Sequence, residues 1–397
     1  MLNPFYWYSI IWTVVLLLYG LGYSAINQVL SVELLFFLVV SIIFSGFIGY
    51  LLKSNFRYHP LKENKEIGNT LTLVISILAL TDLMYMHQIP LFAIAKGTAT
   101  YGDSDVSGMP FVHTILTNLI VFYSSYLFYV FLETKRKHVL WKIIYQLSFF
   151  LIMFQKGILI FTLFIMVNLS FAKFRYTKRR ISKRKVLLLI LFVILILYVN
   201  GGLANIRSGV GWNDDTYIVR VARVHNWPSW VPQQFIWAYT YVTTPLGNVN
   251  KLLSLFRGHM HIDIVLGTVI PMLFLKQLWP AAVVPLDTSV FDVEYMNAAS
   301  GFSNAAIGGG VLGIWLFYYM VMVITISYVL FLRKRKYSSP MYAIFSAMVS
   351  FCFFYDTFCT AQTSLLPIYT LLFFALRKIN IGNRRVTIKI GAKKIKI

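Results

Sequence analysis

Residues 173–200 read KFRYTKRRISKRKVLLLILFVILILYVN, a cationic segment that runs directly into an apolar one. The first thirteen of these residues include eight Lys and Arg and no Asp or Glu, and the stretch from Val186 to Asn200 has no charged side chain. Cytoplasmic loops of membrane proteins are enriched in Lys and Arg. The boundary after Lys185 therefore predicts a chain that leaves the cytoplasm here and enters a membrane as a helix.

The composition extends this prediction to the whole chain. Of the 397 residues, 58% are hydrophobic and 13% are charged, with a mean hydropathy of +0.70. Soluble globular proteins have roughly 25% charged residues, so a soluble enzyme, a disordered scaffold and a fibrous protein are excluded. The expected fold class is an all-α polytopic membrane protein of about ten transmembrane helices, with one large extracytoplasmic loop containing short helices.

Basic clusters alternate with the apolar runs and place both ends of the chain in the cytoplasm. Of the 36 Lys and Arg, 28 fall in segments that we assign to the cytoplasm, seven fall outside, and Lys156 lies at a turn. The net charge of +22 therefore reflects topology and does not indicate a nucleic acid partner. The predicted spans are Tyr6–Tyr23, Leu34–Leu52, Leu71–Met86, Phe111–Leu132, two short ones within 139–172 that turn at 155–157, Val186–Asn200, Gly310–Leu332, Met341–Tyr355 and Ser364–Leu376.

This map divides the chain into four parts. Residues 1–200 form an N-terminal bundle of about seven spans, residues 201–303 a large extracytoplasmic loop, residues 304–376 the C-terminal spans, and residues 377–397 a basic cytoplasmic tail. Within the loop, residues 234–286 are apolar enough to span the membrane, to re-enter it or to lie on it. An even number of crossings preserves the charge pattern, so the three alternatives stay open.

Arginines in the outer loop indicate an anionic ligand. Arg207, Arg220 and Arg223 are candidates for binding pyrophosphate, because guanidinium presents a planar fork of donors that matches phosphate oxygens. On a helix, Arg220 and Arg223 would share a face. Lys156 and Arg257 are candidate helpers. The alternatives are a surface arginine pair that answers Asp214 and Asp215, and a Lys156 that only contacts water at its turn.

The loop also offers candidate proton acceptors. We rank His259 and His261 first as a general base, since the pKa of histidine suits proton removal near neutral pH, and Asp214 and Asp215 second. The string His-x-His-x-Asp also fits a metal site or polar anchoring in the headgroup layer, but the spacing alone is weak, and we predict no metal. Two cysteines, Cys352 and Cys359, form no CxxC motif.

Residues 239–248, YTYVTTPLGN, combine aromatic, hydroxyl and amide side chains that suit sugar rings. Tyr239, Tyr241, Thr244 and Asn248 are therefore candidate glycan-binding residues; the alternative is an interfacial aromatic belt. The sequence has no P-loop, GxSxG, HExxH or dinucleotide-binding motif, so nothing indicates ATP hydrolysis or serine-hydrolase chemistry. We expect no cofactor.

The layout of spans and loop resembles the bacterial O-antigen and capsule repeat-unit polymerases of the Wzy type. Locally the resemblance depends on residues 154–157 (FQKG), on residues 239–248, and on residues 295–310 (YMNAASGFSNAAIGGG). Lys156 stands where that family usually has an Arg. Asn304 stands where members with Asp-Phe-Gly-x-x-Gly have an Asp, which weakens an acid role at that position.

This resemblance implies a glycosyltransferase in the bacterial inner membrane. It would join undecaprenyl-pyrophosphate-linked oligosaccharide repeat units into O-antigen or capsular polysaccharide at the outer face of that membrane. The implied partners are the lipid-linked oligosaccharides, membrane lipids, and a chain-length regulator and flippase of the same pathway. The sugars joined, the linkage and the stereochemical outcome stay open.

Three other functions are compatible with the sequence. A lipid-linked oligosaccharide flippase or another transporter would favour charged residues along span interiors, whereas most outer charges here lie in one loop. A glycan O-acetyltransferase usually carries His and Arg in its early spans, and this chain has no histidine before His59. An O-antigen ligase would look much like a polymerase.

Overall fold

The computed structural model describes residues 2–61, 69–96, 98, 107–178, 183–214, 216–258, 260–284, 287–293, 296–382, 387–390 and 393–396. The described chain is predominantly helical, with one short antiparallel hairpin in the tail, β1 (Thr387–Ile390) and β2 (Lys393–Lys396). The helices are α1 (Pro4–Gly20), α2 (Val32–Leu51), α3 (Thr70–Tyr85), α4 (Pro90–Ala95), α5 (Val112–Thr134), α6 (Lys137–Ile152), α7 (Lys156–Tyr176), α8 (Lys183–Arg207), α9 (Thr216–Val221), α10 (Gln234–Leu255), α11 (Ile262–Gly267), α12 (Met272–Leu278), α13 (Ser303–Leu332), α14 (Ser338–Phe351) and α15 (Leu366–Gly382).

Four of the described helices are long and apolar enough to cross a membrane: α2, α5, α7 and α13. The predicted helical membrane fold is confirmed to that extent. Each of the ten predicted spans also overlaps a helix, because long uncharged runs favour helix wherever they are buried or meet lipid. Span eight was predicted to begin at Gly310, and α13 is interrupted there by non-helical Gly309 and Gly310.

The first two helices show how side chains define the bundle. Asn3 accepts from the backbone N–H groups of Phe5 and Tyr6 at the start of α1, and its amide donates to the carbonyl of Gly49 at 2.8 Å. One side chain thus caps α1 and joins it to α2. The hydroxyl of Tyr8 donates to Ser41 at 3.0 Å deeper in the same interface.

The centre of the bundle is α14. All of its residues from Ser338 to Ser350 are buried, and α14 packs against α1, α5 and α7. A helix that is apolar all round is stable only when protein or lipid surrounds it. At fourteen residues α14 is short, and the irregular connection 352–365 that follows it is largely buried.

The outer loop differs from its predicted outline at both ends. Helix α8 continues past Asn200 to Arg207, and α13 begins at Ser303. The first part of residues 234–286, whose path the sequence left open, is the single helix α10, which lies against α8, α13 and α1. The second part is divided into α11, α12 and a 3-10 turn at Pro280–Ala282, so it is not one membrane-crossing helix.

The outer loop is joined to the α1–α2 connection by backbone and side-chain hydrogen bonds. Ser24 donates to the carbonyl of Ala222 at 2.6 Å, and the N–H of His225 donates to the carbonyl of Tyr23 at 2.9 Å. Further along, the side-chain amide of Asn250 donates to the carbonyl of Val29 and accepts the N–H of Ser31, near the end of the connection. The loop is therefore a fixed part of the bundle.

Close packing of α8 on α10 gives a test of this arrangement. A Cβ at Gly201 would lie 2.1 Å from the backbone carbonyl oxygen of Gln234, whereas a Cβ at Gly157 would meet nothing within 4 Å. We expect Gly201→Ala to lower the free energy of unfolding by about 1–3 kcal/mol, because the two helices must separate. Gly157→Ala is the matched control and should leave stability unchanged or slightly higher. Thermal unfolding of both variants in one detergent measures the difference; equal melting temperatures would contradict the α8–α10 contact.

Candidate functional site

Three polar side chains, two from helices and one from the break before α7, form a continuous chain at one end of the bundle. Nδ1 of His113 lies 2.6 Å from a carboxylate oxygen of Asp82, and Nε2 of His113 lies 2.6 Å from the amide nitrogen of Gln155. The other carboxylate oxygen of Asp82 accepts the backbone N–H of Met109 at 2.7 Å. Asp82 is fully buried, and the His113 side chain is 17% exposed. We call Asp82, His113 and Gln155 the Asp–His–Gln chain.

The positions of the helix ends bring these residues to one level. Asp82 lies in the last turn of α3, and His113 lies in the first turn of α5, so an antiparallel pair of helices brings them to the same depth. Gln155 is the residue before α7, at the break from α6, where Phe154 adopts a positive φ of 56°. Gly108 is required beside them, because a Cβ there would lie 2.3 Å from Nδ1 of His113.

The two ring contacts fit one tautomer of His113: Nδ1–H donates to the Asp82 carboxylate, and the lone pair of Nε2 accepts from the Gln155 amide. A carboxylate that holds the histidine tautomer and an Nε2 free to take a proton from a hydroxyl are the two parts of a general base. A substrate hydroxyl would have to replace the Gln155 amide at Nε2.

Lys156 provides a positive charge next to the Asp–His–Gln chain in the sequence. Lys156 follows Gln155 directly, begins α7 and is half-buried, with its Nζ 4.7 Å from the centre of the Phe154 ring. The α6–α7 break lies at residues 153–155, two residues before the predicted turn at 155–157. The second of the two spans predicted to be short is the 21-residue helix α7. The site consequently combines a candidate base with a nearby positive charge.

The predicted arginine group is only partly supported by the backbone. Arg220 is exposed on α9, but α9 ends at Val221, and Arg223 is exposed with a positive φ of 47°. The prediction that Arg220 and Arg223 share a helical face is therefore wrong, because the chain turns between them. Arg257 is exposed and pairs with Glu33 at 3.2 Å. Arg207 ends α8, and its side chain lies outside the described residues.

The proton acceptors that were predicted in the outer loop are not part of the Asp–His–Gln chain. Asp214 caps α9: one oxygen accepts the N–H of Tyr217 and both the N–H and the hydroxyl of Thr216. The Tyr217 N–H, the Thr216 bonds and the charge of Arg220 lower the pKa of Asp214, which makes it a weaker base. His261 is exposed just before α11, and its backbone N–H donates to Gly308. Asp215 and His259 lie outside the described residues.

Three of the four candidate glycan residues are buried in α10. Tyr239 accepts the N–H of Tyr23 at 3.1 Å, and Asn248 donates to the carbonyls of Met296 and Ala298, both at 2.8 Å. Thr244 is buried as well, and Tyr241 is exposed. The patch therefore holds the outer loop in place, and Tyr241 is its member at the surface.

His113 and Gln155 were not among the residues singled out in the sequence. The sequence did indicate that Asp82 and His113 lie at the same depth in the membrane. The end of predicted span three and the start of predicted span four face the same side, so both residues had to lie at one level. Their side-chain orientation was not readable. Within the part of the chain that the structure describes, no three His, Cys, Asp or Glu side chains are grouped so as to hold a metal ion.

Comparisons of the chain with protein-family models, with curated proteins and with solved structures find no match.

The capping role of Asp214 leads to a prediction about stability and pH. Asn caps a helix about as well as Asp, and Ala does not, so Asp214→Asn should match the wild type at pH 7 and Asp214→Ala should be less stable. Because the pKa of Asp214 is lowered in the folded protein, its contribution is present above the unfolded pKa of about 3.9 and is lost as the pH falls through the lower folded value. Thermal unfolding from pH 7 to pH 3 should show that loss in the wild type and not in Asp214→Asn.

Proposed function

We propose that the chain is a multi-pass membrane glycosyltransferase that polymerises undecaprenyl-pyrophosphate-linked oligosaccharide repeat units at the outer face of the bacterial inner membrane. It crosses the membrane ten times, both ends are cytoplasmic, and the segment 201–303 is extracytoplasmic. The four long apolar helices support a membrane location, and the distribution of Lys and Arg supports the orientation.

The observation that carries the proposal is the 2.6 Å contact of His113 with buried Asp82. Ionisable groups inside a helical membrane bundle are costly and are retained mainly for function. With the proposed orientation, α3 ends and α5 begins at the outer side, so the Asp–His–Gln chain faces the side where lipid-linked repeat units are joined. His113 therefore replaces His259 and His261 as the proposed base.

The reaction requires one proton transfer and one leaving group. A sugar hydroxyl of the acceptor repeat unit attacks the anomeric carbon of the donor glycan, and the bond from that carbon to the pyrophosphate oxygen breaks. The hydroxyl proton passes to Nε2 of His113, and the electron pair leaves with the lipid pyrophosphate. Asp82 stabilises the imidazolium that forms, and no nucleotide takes part.

The leaving pyrophosphate needs positive charge close to the base. Lys156 is the nearest candidate, because it follows Gln155 and begins α7 at the same break. Arg220 and Arg223 are exposed on the outer loop and are available to a ligand from solvent, whereas Arg257 already pairs with Glu33. Such cations stabilise charge that develops on the leaving oxygen.

The same observation favours a second candidate function. Chains of Asp and His inside a bundle also carry protons in transporters, and the Asp–His–Gln chain could couple proton movement to transfer of a lipid-linked oligosaccharide. A transporter needs no cation beside the histidine, so the neighbouring Lys156 favours the polymerase.

Substitutions in the Asp–His–Gln chain test the proposed base. In a strain deleted for the gene, we expect His113→Gln to reduce polymer formation by about 10²–10⁴-fold, since general-base catalysis contributes about that factor. Asp82→Asn should also reduce it, because it changes the histidine tautomer. His261→Gln is the matched control and should leave the ladder of chain lengths intact on a gel of surface glycan.

Protein abundance and melting temperature separate loss of catalysis from loss of folding. A folded His113→Gln variant that still gives the normal ladder of chain lengths would show that His113 is not the general base. Loss of even the single repeat unit at the surface, with lipid-linked units retained inside, would establish the transporter instead. If the deletion strain makes the same ladder of chain lengths but its glycan has a different acetyl content, the protein would instead be an O-acetyltransferase.

Arg220 provides a separate test of the anion site. We expect Arg220→Ala to abolish polymerisation while the protein stays inserted and abundant, because the arginine is exposed on α9. Arg57→Ala removes an equally exposed arginine from a predicted cytoplasmic loop and serves as the control. Normal chain length from Arg220→Ala would remove Arg220 from the proposed site.

A further inference from the structure

A cavity of about 220 Å³ lies at the opposite end of the bundle from the Asp–His–Gln chain. It is bounded by the connection after α2, by the last turns of α5, and by the turn between α13 and α14. Its lining residues are His59, Pro60, Tyr129, Arg333, Lys334, Arg335, Lys336 and Tyr337. Four consecutive residues of this lining are cationic, and no Asp or Glu is among the described residues that line it. We call it the cationic pocket.

Hydrogen bonds give the cationic pocket a defined shape. The hydroxyl of Tyr129 donates to the carbonyl of His59 at 2.5 Å, and the N–H of His59 donates to the hydroxyl of Ser339 at 2.8 Å. The ring Nδ1 of His59 lies 3.1 Å from the hydroxyl of Ser338. The α2 connection is therefore tied to both α5 and α14, and the pocket does not depend on a free loop.

Among the residues that the structure describes, the acidic residue nearest in sequence to the lining does not neutralise the pocket. Glu133, one turn beyond Tyr129 on α5, accepts from the hydroxyl of Tyr58 at 2.5 Å and pairs with Lys173 at 3.0 Å. Burial lowers the pKa of His59, so its ring is neutral at pH 7 and the positive charge comes from residues 333–336. All four of those side chains are exposed and can reach an anion.

One of the four cations is already oriented. Nε of Arg335 donates to the carbonyl of Phe331 at 3.1 Å, and its guanidinium lies 3.9 Å from the centre of the Phe331 ring. These contacts fix the plane of the guanidinium and leave its other N–H groups available. A guanidinium held in one orientation loses less entropy when it binds phosphate oxygens.

Position and size indicate the source of the anion. Two of the long apolar helices, α5 and α13, end at this pocket, and Arg333 follows the last apolar residue of α13 directly. The pocket therefore lies at headgroup depth, where basic pockets between transmembrane helices bind anionic lipids. Its volume is below the range of about 300–1,000 Å³ that is usual for drug-sized ligands, which fits a phosphate headgroup better than a nucleotide.

We infer that the cationic pocket binds the phosphate headgroup of an anionic lipid of the adjacent leaflet. The lipid tails would lie along the exposed apolar surface of α13, which includes Val323 and Leu330, and the phosphate would contact Arg333, Arg335 and Lys336. This inference does not depend on the proposed polymerase activity.

Lipid binding to the purified full-length protein tests the inference. Native mass spectrometry in a neutral detergent would measure binding of dioctanoyl phosphatidylglycerol, with dioctanoyl phosphatidylcholine as the headgroup control. We expect the anionic lipid to bind the wild type more tightly. The double substitution Arg333→Gln/Lys336→Gln should weaken it about 30-fold, from about tenfold per 1.4 kcal/mol and the usual contribution of each cation.

A matched variant separates the pocket from general surface charge. Lys135→Gln/Lys137→Gln removes the same charge from exposed positions at the neighbouring α5–α6 turn that do not line the pocket, and it should bind the lipid as the wild type does. Equal weakening in both double variants, at unchanged melting temperature, would overturn the inference. Displacement of the lipid by millimolar glycerol phosphate or inorganic phosphate would show that the pocket binds phosphate, and that its ligand is a soluble phosphate and not a lipid.

Discussion

Backbone polar groups that are removed from water need partners within the protein, and this constraint organises the centre of the molecule. The connection 352–365 is not a regular helix, yet most of it is buried beside α14. Asn118 of α5 donates to the carbonyl of Ala361 at 2.6 Å and accepts the N–H of Leu365 at 3.0 Å. Asp356 accepts two further N–H groups of the connection. Irregular backbone is stable within a membrane protein only with such partners.

The same connection links the bundle to the outer loop. The carbonyl of Cys359 accepts the N–H of Met272 at 2.8 Å, and the carbonyl of Cys352 accepts the N–H of Gly301 at 2.7 Å. The loop is thus held by the connection on one side and by the α1–α2 segment on the other. Residues on a loop need this kind of support to keep a fixed position relative to a site built on the helices, since misplacement by about 1 Å can cost two orders of magnitude in rate.

Helix α5 connects the two candidate sites. His113 lies in its first turn and Tyr129 near its end, so the Asp–His–Gln chain and the cationic pocket are separated by sixteen residues, or ~24 Å along the helix axis. The hydrocarbon core of a bilayer is about 30 Å thick, so the two sites would lie toward opposite surfaces of a bilayer that α5 crosses. An anionic headgroup in the pocket would anchor the end of α5 and α13 that is remote from the proposed chemistry.

The sequence by itself determined where helices form, which of its segments are apolar enough to meet a membrane, and where cations gather. Those properties follow from local runs of apolar and basic residues, which act through burial and charge over a few neighbouring positions. It also located the α6–α7 break to within two residues, although α7 extends past Lys173 to Tyr176 and is not the short span that was predicted. Residues 239–248 show what such local patterns do not predict. Their composition suits a sugar ligand, but Tyr239 and Asn248 form hydrogen bonds with the protein's own backbone.

Only the tertiary structure decided which side chains meet. His113 reaches Asp82 because α3 and α5 are rotated to face each other, and Arg223 departs from Arg220 because its backbone turns left-handed. The cationic pocket exists because three segments distant in sequence converge on one turn. Rotation and tilt of a helix depend on the packing of all its neighbours at once, and a pattern within one segment does not contain that information.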